Sequence, residues 1–201
     1  LGGQVFQFNP NTVSIMQRSG MSWAKQQVEY HLGDDPGTAA GTINNAHGAG
    51  FKVLVSIKGL KDQIGGDYAG YINNFANYAG GVAALGADAI EVWNEANIDR
   101  EWPAGSINGA TYTKMPPAAY NATKSRHPTT TVISGAPAPT GHTVATRSGS
   151  GGDNDGAQRM SMSQPAATQY MACFGQHYHA GRSPPTHNTA ATRGSATAAT
   201  L

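Results

Sequence analysis

Short apolar runs alternate with helix-like stretches along most of the chain, and this alternation constrains the fold more than any other feature. We predict strands at 5–8, 22–30, 51–57, 88–94, 130–134 and 173–178. Helix-like stretches lie between them at 11–19, 38–49, 67–85, 108–125 and 156–170. Strands separated by helices form βαβ units, and successive units build a parallel sheet. The sequence therefore predicts an α/β fold.

Local signals support this division of the chain. Glycine follows three of the helix-like stretches, at Gly20, Gly50 and Gly86, which is the residue expected just past a helix end. The run 51–57 is apolar almost throughout, as strands buried on both faces are. Pro116 and Pro117 fall inside 108–125 and are expected to kink or break that helix.

The number of units favours a TIM-type (β/α) barrel. About six units of about 30 residues are legible, whereas a closed barrel has eight. We expect residues 1–201 to form a single barrel domain of catalytic type, with the last two units missing or unreadable and the chain irregular after about 181. The alternative, a doubly wound sheet, would carry a glycine-rich loop after its first strand, but residues 9–12 read Asn-Pro-Asn-Thr.

Charge and composition exclude several classes of partner. The net charge is +1, charged residues make up 12% of the chain, and no Lys/Arg run is present, which argues against a nucleic-acid partner. No run approaches the roughly 18 apolar residues of a membrane span. Few charges among many amide and hydroxyl side chains suit a neutral, hydroxyl-rich ligand. The single cysteine, Cys173, cannot form an intrachain disulfide and is interpreted as a small buried residue on a strand.

The segment Ile90–Asn97 carries the most chemical information. Glu95 follows Trp93 and Asn94 at the end of a predicted strand, and barrel active sites lie at the carboxyl ends of strands. Glycoside hydrolysis needs a carboxylic acid beside the leaving oxygen. A purely structural interpretation, in which Glu95 caps the next helix or pairs with Arg100, stays open on position alone.

At this segment the chain resembles the clan of retaining glycoside hydrolases in which the fourth strand of a (β/α)8 barrel ends in Asn-Glu. The clan includes cellulase-like and xylosidase-like bacterial families. The resemblance covers roughly residues 4–180. It rests on an ordered set of segments, namely Phe-Gln-Phe at 6–8, Trp-Ala-Lys-Gln-Gln-Val at 23–28, Lys-Val-Leu-Val-Ser at 52–56, the segment 91–97 with Glu101-Trp102, Val-Ile-Ser-Gly-Ala at 132–136 and Gly-Gln-His-Tyr at 175–178.

The resemblance implies roles for individual residues. Glu95 matches the acid/base residue, and Asn94 matches the residue that hydrogen-bonds the 2-hydroxyl of the sugar. His177 and Tyr178 match residues that line the cleft at the end of strand six. The nucleophile of the clan is a second glutamate on strand seven, but no Asp or Glu follows Asp155. No residue of this chain therefore matches the nucleophile.

Further ligand-binding candidates stand near predicted strand ends. Trp102 lies in the loop after the acid segment and is interpreted as a stacking platform for a sugar ring, with simple loop packing as the alternative. Gln27, Lys58 and Asn9 are weaker candidates for the cleft.

Glu91 lies four residues before Glu95, about 13 Å away if the strand is extended. That distance is too great for a catalytic pair. Because an unpaired buried carboxylate is costly, we expect Glu91 to pair with Lys25 on strand two.

No metal or other cofactor is expected. His177 and His179 share one face of a predicted strand, but no third ligand of the kind that a metal site needs stands nearby in the sequence.

Two functions follow from these patterns. The first is a secreted, bacterial-like retaining glycoside hydrolase that acts on β-linked poly- or oligosaccharide. The second is a barrel that binds glycans, or serves as a surface structural protein, without turnover, which the missing second carboxylate favours. The sequence does not indicate an oligomeric state.

Overall fold

A computed structural model of the chain describes residues 1–138, 169–173 and 175. In the described part, five strands form one sheet in the order β1-β2-β3-β4-β5, and every neighbouring pair is parallel. Each strand lies beside the next one along the chain, without the reversal of order that defines a doubly wound sheet. The prediction of a TIM-type barrel architecture is confirmed. The strands are β1 (Gly2–Gln4), β2 (Trp23–Tyr30), β3 (Lys52–Gly59), β4 (Ala89–Val92) and β5 (Thr131–Ser134).

The helices that connect these strands begin and end close to where the sequence signals place them. They are α1 (Pro10–Arg18), α2 (Ala40–Gly48), α3 (Tyr68–Ala84), α4 (Gly109–Tyr112) and α5 (Met115–Arg126). Asn9 caps α1 by accepting a hydrogen bond from the backbone N–H of Thr12 at 2.9 Å. Gly20, Gly50 and Gly86 adopt φ angles of 68°, 82° and 101°, which glycine reaches without the steric cost that other residues bear.

The Pro116-Pro117 pair interrupts the helical stretch as predicted. One helix ends at Tyr112, and the next begins at Met115 with the prolines in its first turn. Proline is tolerated there because the first backbone N–H groups of a helix have no intrahelical partner.

The prediction of the first strand was wrong in position. The strand is Gly2–Gln4 rather than 5–8; Val5 still donates to the carbonyl of Lys25 at 2.9 Å, but Phe6 is 92% exposed. A Cβ on Gly2 would lie 2.8 Å from the Cβ of Trp23. The close approach of these two strands therefore selects glycine, a residue that propensity places outside strands.

The chain reaches the far edge of β5 at residues 172–173. Ala172 donates to the carbonyl of Val132 at 2.9 Å, and Ser134 donates to the carbonyl of Cys173 at 3.3 Å. Of the predicted strand 173–178 and the predicted helix 156–170, the structure describes only residues 169, 170, 173 and 175. Burial raises the pKa of the half-buried Cys173 thiol. Within the described part of the chain, every helix is too short or too polar to cross a membrane.

The two faces of the sheet differ in chemistry, and this difference positions the site. One face packs on the helices through a large apolar cluster that includes Val53, Val55, Ile57, Ile90 and Val92. The alternate residues of the strands point to the other face. That second face carries a smaller apolar cluster of Leu54, Ala89 and Ile133 together with the buried polar residues Lys25, Ser56 and Glu91.

Candidate active site

Strand β4 ends in a strained turn that carries Glu95. Trp93 extends the ladder by donating to the carbonyl of Ile57 at 2.9 Å, but its φ angle is 72°, and that of Glu95 is 48°. In the described residues these are the two non-glycine residues with positive φ. Such conformations cost about 1–3 kcal/mol each and persist where the surrounding structure enforces them, often at active sites. The turn shortens the strand relative to the predicted 88–94.

The segment that follows β5 holds this turn through the backbone. Glu95 donates its N–H to the carbonyl of Ala136 at 2.9 Å. Two residues on, the side-chain amide of Asn97 donates to the carbonyl of Ala138 at 2.9 Å and accepts from the N–H of Ala138 at 2.7 Å. The side chain of Asn97 thus makes the same pair of hydrogen bonds with Ala138 that the backbone of a neighbouring strand would make. The position of Glu95 is therefore set by residues 136–138.

Tyr112 connects the same two segments from the helix side. Its hydroxyl donates to the carbonyl of Val92 at 2.7 Å and accepts from the N–H of Gly135 at 2.7 Å. Burial raises the pKa of Tyr112, so the hydroxyl keeps its proton and its donor role. A Cβ on Gly135 would lie 2.5 Å from the carbonyl oxygen of Trp93. Sequence reasoning missed both Tyr112 and Asn97 as supports of the site, since their partners lie 20 to 41 residues away along the chain.

Glu95 takes part in a network of alternating charges. Its side chain is 10% exposed, and one carboxylate oxygen lies 2.7 Å from Nη2 of Arg100. The Nε of Arg100 lies 3.2 Å from Glu101, and the other oxygen of Glu101 lies 2.8 Å from Nζ of Lys58. The hydrogen bond with Glu95, followed by the charge of Glu95, raises the pKa of Arg100. Because the attraction is mutual, the arginine favours the ionised form of the Glu95 carboxyl.

The network changes the interpretation of Lys58. The predicted role was contact with ligand, but the Lys58 ammonium is engaged with Glu101, and its side chain is 24% exposed. The indole N–H of Trp93 also donates to the carbonyl of Glu101 at 3.2 Å. Lys58 therefore acts first as a charge partner that holds Glu101 beside the site.

Trp102 does not fit the predicted stacking platform, and we correct that interpretation. Its exposure is 0%, and its indole N–H donates to the carbonyl of Ser106 at 3.1 Å. The ring packs edge-on against Trp93 with centroids 5.1 Å apart, and against Tyr112 and Tyr68 at 6.0 and 6.4 Å. A sugar ring needs an open aromatic face, whereas Trp102 belongs to an aromatic cluster beneath the turn.

Asn94 and Gln27 keep polar side chains that could contact a ligand. Asn94 is 9% exposed, and its amide makes no hydrogen bond to another residue that the structure describes. Gln27 is exposed on β2, in register with Ser56 of β3. Asn9 caps α1 and is exposed. The predicted roles of these residues stay predictions.

Two of the predicted cleft residues, His177 and Tyr178, lie outside the described residues. The described part of the chain contains no group of three His, Cys, Asp or Glu side chains that could hold a metal ion.

The prediction that Glu91 pairs with Lys25 is confirmed. The Nζ of Lys25 lies 2.5 Å from Glu91, and Glu91 is fully buried. Glu91 is therefore a partner in a buried ion pair rather than an open carboxylate beside Glu95.

Comparison with known proteins supports the architecture. No family model matches the sequence, and no curated protein matches it either. The structure of an endo-1,4-beta-mannanase from Rhizomucor miehei aligns with a TM-score of 0.60 and 15% identity, over 89% of this chain and 66% of that chain. A GH5-4 broad specificity endoglucanase from Clostridium longisporum aligns with a TM-score of 0.50 and 12% identity, over 67% of this chain and 47% of that chain.

At these identities the likeness shows the fold. Both neighbours are glycoside hydrolases with a β/α barrel, and this chain shares that architecture. The chain spans less than two thirds of the length of either neighbour.

Proposed function

We propose that the protein is a secreted glycoside hydrolase that acts on β-linked poly- or oligosaccharide, with Glu95 as the acid/base residue of a retaining mechanism. The single observation that carries the proposal is the strained turn after β4, which holds a mostly buried carboxyl at the carboxyl end of a parallel barrel strand. This is the end of a barrel at which active sites lie. The two structural neighbours, a mannanase and an endoglucanase, support a carbohydrate substrate.

In the proposed reaction, Glu95 donates its proton to the glycosidic oxygen as the bond to the sugar breaks, and it later takes a proton from the attacking water. Asn94 hydrogen-bonds a hydroxyl of the sugar beside the scissile bond, because its amide is available next to the acid. Such a bond contributes most if it strengthens in the transition state.

Glu95 must be protonated to act as an acid, so Arg100 has to leave it. The Arg100 side chain is 71% exposed and keeps a second partner in Glu101. The geometry supports a movement of the guanidinium toward Glu101 and solvent when a sugar enters. The bound sugar would also exclude water, which favours the neutral acid.

A retaining mechanism needs a second carboxyl about 5 Å from the acid. The two other glutamates near the turn are already engaged, Glu91 with Lys25 and Glu101 with Lys58 and Arg100. The proposal therefore assigns the acid/base residue to this chain and assigns no nucleophile. Labelling with a 2-fluoro aryl glycoside, followed by peptide mass spectrometry, would identify the nucleophile.

The second candidate is a glycan-binding protein without turnover. The engagement of Glu91, Glu95 and Glu101 with basic side chains favours it, since each of these carboxyls already has a partner within the protein. Such a protein would bind the same sugars through Asn94 and Gln27.

Hydrolysis of aryl β-glycosides and of β-mannan and β-glucan by wild type and Glu95→Gln distinguishes the two candidates. We expect the wild type to be active and the variant to lose most activity toward substrates with poor leaving groups, since general acid catalysis contributes about 10²–10⁴-fold. Asp62→Asn removes an exposed carboxylate in the segment after β3 and serves as the control. Equal rates for wild type and Glu95→Gln would exclude the enzyme, and calorimetry with the same oligosaccharides would then test the binder.

A further inference from the structure

The ion pair between Lys25 and Glu91 is unusual in its burial. The two charged atoms lie 2.5 Å apart, and the residues are 5% and 0% exposed. Removing two charges from water is costly, and apolar residues of the same volume often give equal or greater stability. Stability alone therefore does not explain why this part of the barrel carries a charged pair.

The second oxygen of Glu91 contacts the segment that holds the acid. The Oε1 atom of Glu91 accepts a hydrogen bond from the N–H of Ala136 at 3.2 Å. The carbonyl of Ala136 accepts in turn from the N–H of Glu95 at 2.9 Å. Lys25, Glu91, Ala136 and Glu95 thus form one continuous series of polar contacts from β2 to the strained turn.

The backbone at Gly175 packs over this series. A Cβ on Gly175 would lie 3.0 Å from Oε1 of Glu91 and 2.9 Å from the nitrogen of Ala136. The contact between Glu91 and Ala136 is therefore enclosed by β4, β5 and the backbone of Gly175. Enclosure excludes water, so a lost acceptor at this point would leave the N–H of Ala136 unsatisfied.

Resting on the proposed function, we infer that Glu91, held by Lys25, is a positioning residue for the acid/base carboxyl of Glu95. The pair fixes Ala136 by its N–H, and Ala136 fixes the left-handed backbone of Glu95 by its carbonyl. Glu91 touches no substrate in this scheme and acts only through Ala136. The charge of Lys25 orients the Glu91 carboxylate so that Oε1 faces the N–H of Ala136.

Two double variants test this role without leaving a lone buried charge. Lys25→Met with Glu91→Leu removes the acceptor that serves Ala136, whereas Lys25→Met with Glu91→Gln keeps a neutral acceptor in the same place. Amide hydrogen exchange, followed by NMR, reports on the Glu95 N–H directly. We expect faster exchange at Glu95 in the leucine variant, recovery toward the wild-type rate in the glutamine variant, and unchanged exchange at Trp93, which donates to Ile57.

Equal exchange at Glu95 in the two double variants would overturn the inference, since a merely structural pair gives no reason for the glutamine to restore protection. If neither double variant folds, Gly175→Ala provides the test, because its Cβ would lie 3.0 Å from Oε1 of Glu91 and 2.9 Å from the nitrogen of Ala136, so the contact between them must shift, while Lys25 and Glu91 themselves are retained. Faster exchange at Glu95 in that variant supports the inference, and an unchanged rate contradicts it.

Kinetics separate this inference from the proposed function. In the leucine variant we expect kcat to fall by up to about 100-fold for aryl β-glycosides with poor leaving groups, because a displacement of about 1 Å has that effect. The KM should stay unchanged, and substrates that leave without protonation should be affected least. If Glu95→Gln retains full activity, the proposed function fails, while the exchange rates still decide whether Glu91 positions Glu95. If Glu95→Gln is inactive and both double variants match wild type in kcat and exchange, only the inference fails.

Discussion

At the scale of single residues, the chemistry of the site depends on which partner holds the Glu95 carboxyl. Among the residues that the structure describes, Arg100 is an ion-pair partner of Glu95, and its side chain is largely exposed. An acid beside a guanidinium stays ionised to lower pH than a free one. Removal of the arginine charge should therefore widen the pH range over which Glu95 carries its proton.

Arg100→Gln is expected to move the alkaline limb of the pH dependence of kcat/KM to higher pH. The sign follows from the charge, since loss of a neighbouring cation favours the neutral carboxyl. Arg126→Gln is the matched control, because Arg126 lies on α5 and bonds only to Asn77 among the described residues. A limb that stays in place, or moves to lower pH, would show that Arg100 does not govern the protonation of Glu95.

A second prediction at the scale of single residues concerns Trp102 and distinguishes a role in core packing from a role in ligand contact. Trp102→Ala should lower the free energy of unfolding by about 3–5 kcal/mol, because it empties a buried site in the aromatic cluster. Denaturant unfolding measures this loss, and Trp102→Phe should recover part of it. A Trp102→Ala variant that keeps its stability but loses affinity for glycans would instead support the interpretation of Trp102 as a stacking platform.

At the scale of elements, the sequence predicted what depends on local chemistry and failed where distant residues decide. Glycine and proline marked the ends of α1, α2 and α3 and the break before α5, because their effects are exerted within one turn. The position of β1 depended on the close approach of Gly2 to Trp23, which no local pattern reveals. Glu95 was found through its neighbours in the chain, while Tyr112 and Asn97 act on residues brought near only by folding.

At this scale, the close packing of α3 on α5 leads to a prediction about the stability of two glycine-to-alanine variants. A Cβ on Gly80 would lie 2.6 Å from the carbonyl oxygen of Ala122 on α5, whereas one on Gly41 of α2 would meet nothing within 4 Å. Gly80→Ala should therefore destabilise the protein by about 1–3 kcal/mol through overpacking. Gly41→Ala should stabilise it by up to about 1 kcal/mol through helix propensity. Thermal unfolding of both variants checks the opposite signs, and a stabilised Gly80→Ala would mean that the helices do not pack so closely.

At the scale of the whole molecule, the chain is nearly neutral. The charged residues of its candidate site lie in ion pairs. The net charge of the full sequence is +1, with 13 basic and 12 acidic residues. A protein of this kind produces little long-range field to attract a polyanion. The recognition of a neutral sugar that we propose should therefore depend on hydrogen bonds and apolar contacts within the site.

We therefore expect no retention of the protein on immobilised DNA at physiological ionic strength, since nonspecific affinity for DNA comes from counterion release by clustered basic residues. Chromatography on such a column, with a basic protein as positive control, checks this. Salt-sensitive retention would point to a basic surface and to a different class of partner.

The left-handed backbone at Trp93 and Glu95 bears on any attempt to make this protein more thermostable. A substitution that lets that turn relax would raise the melting temperature and at the same time allow the carboxyl of Glu95, the proposed acid, to leave its position, which is the familiar exchange of activity for robustness. Stabilising substitutions are better placed at remote helix surfaces such as Gly41, because a change there leaves the strained backbone at the end of β4 as it is.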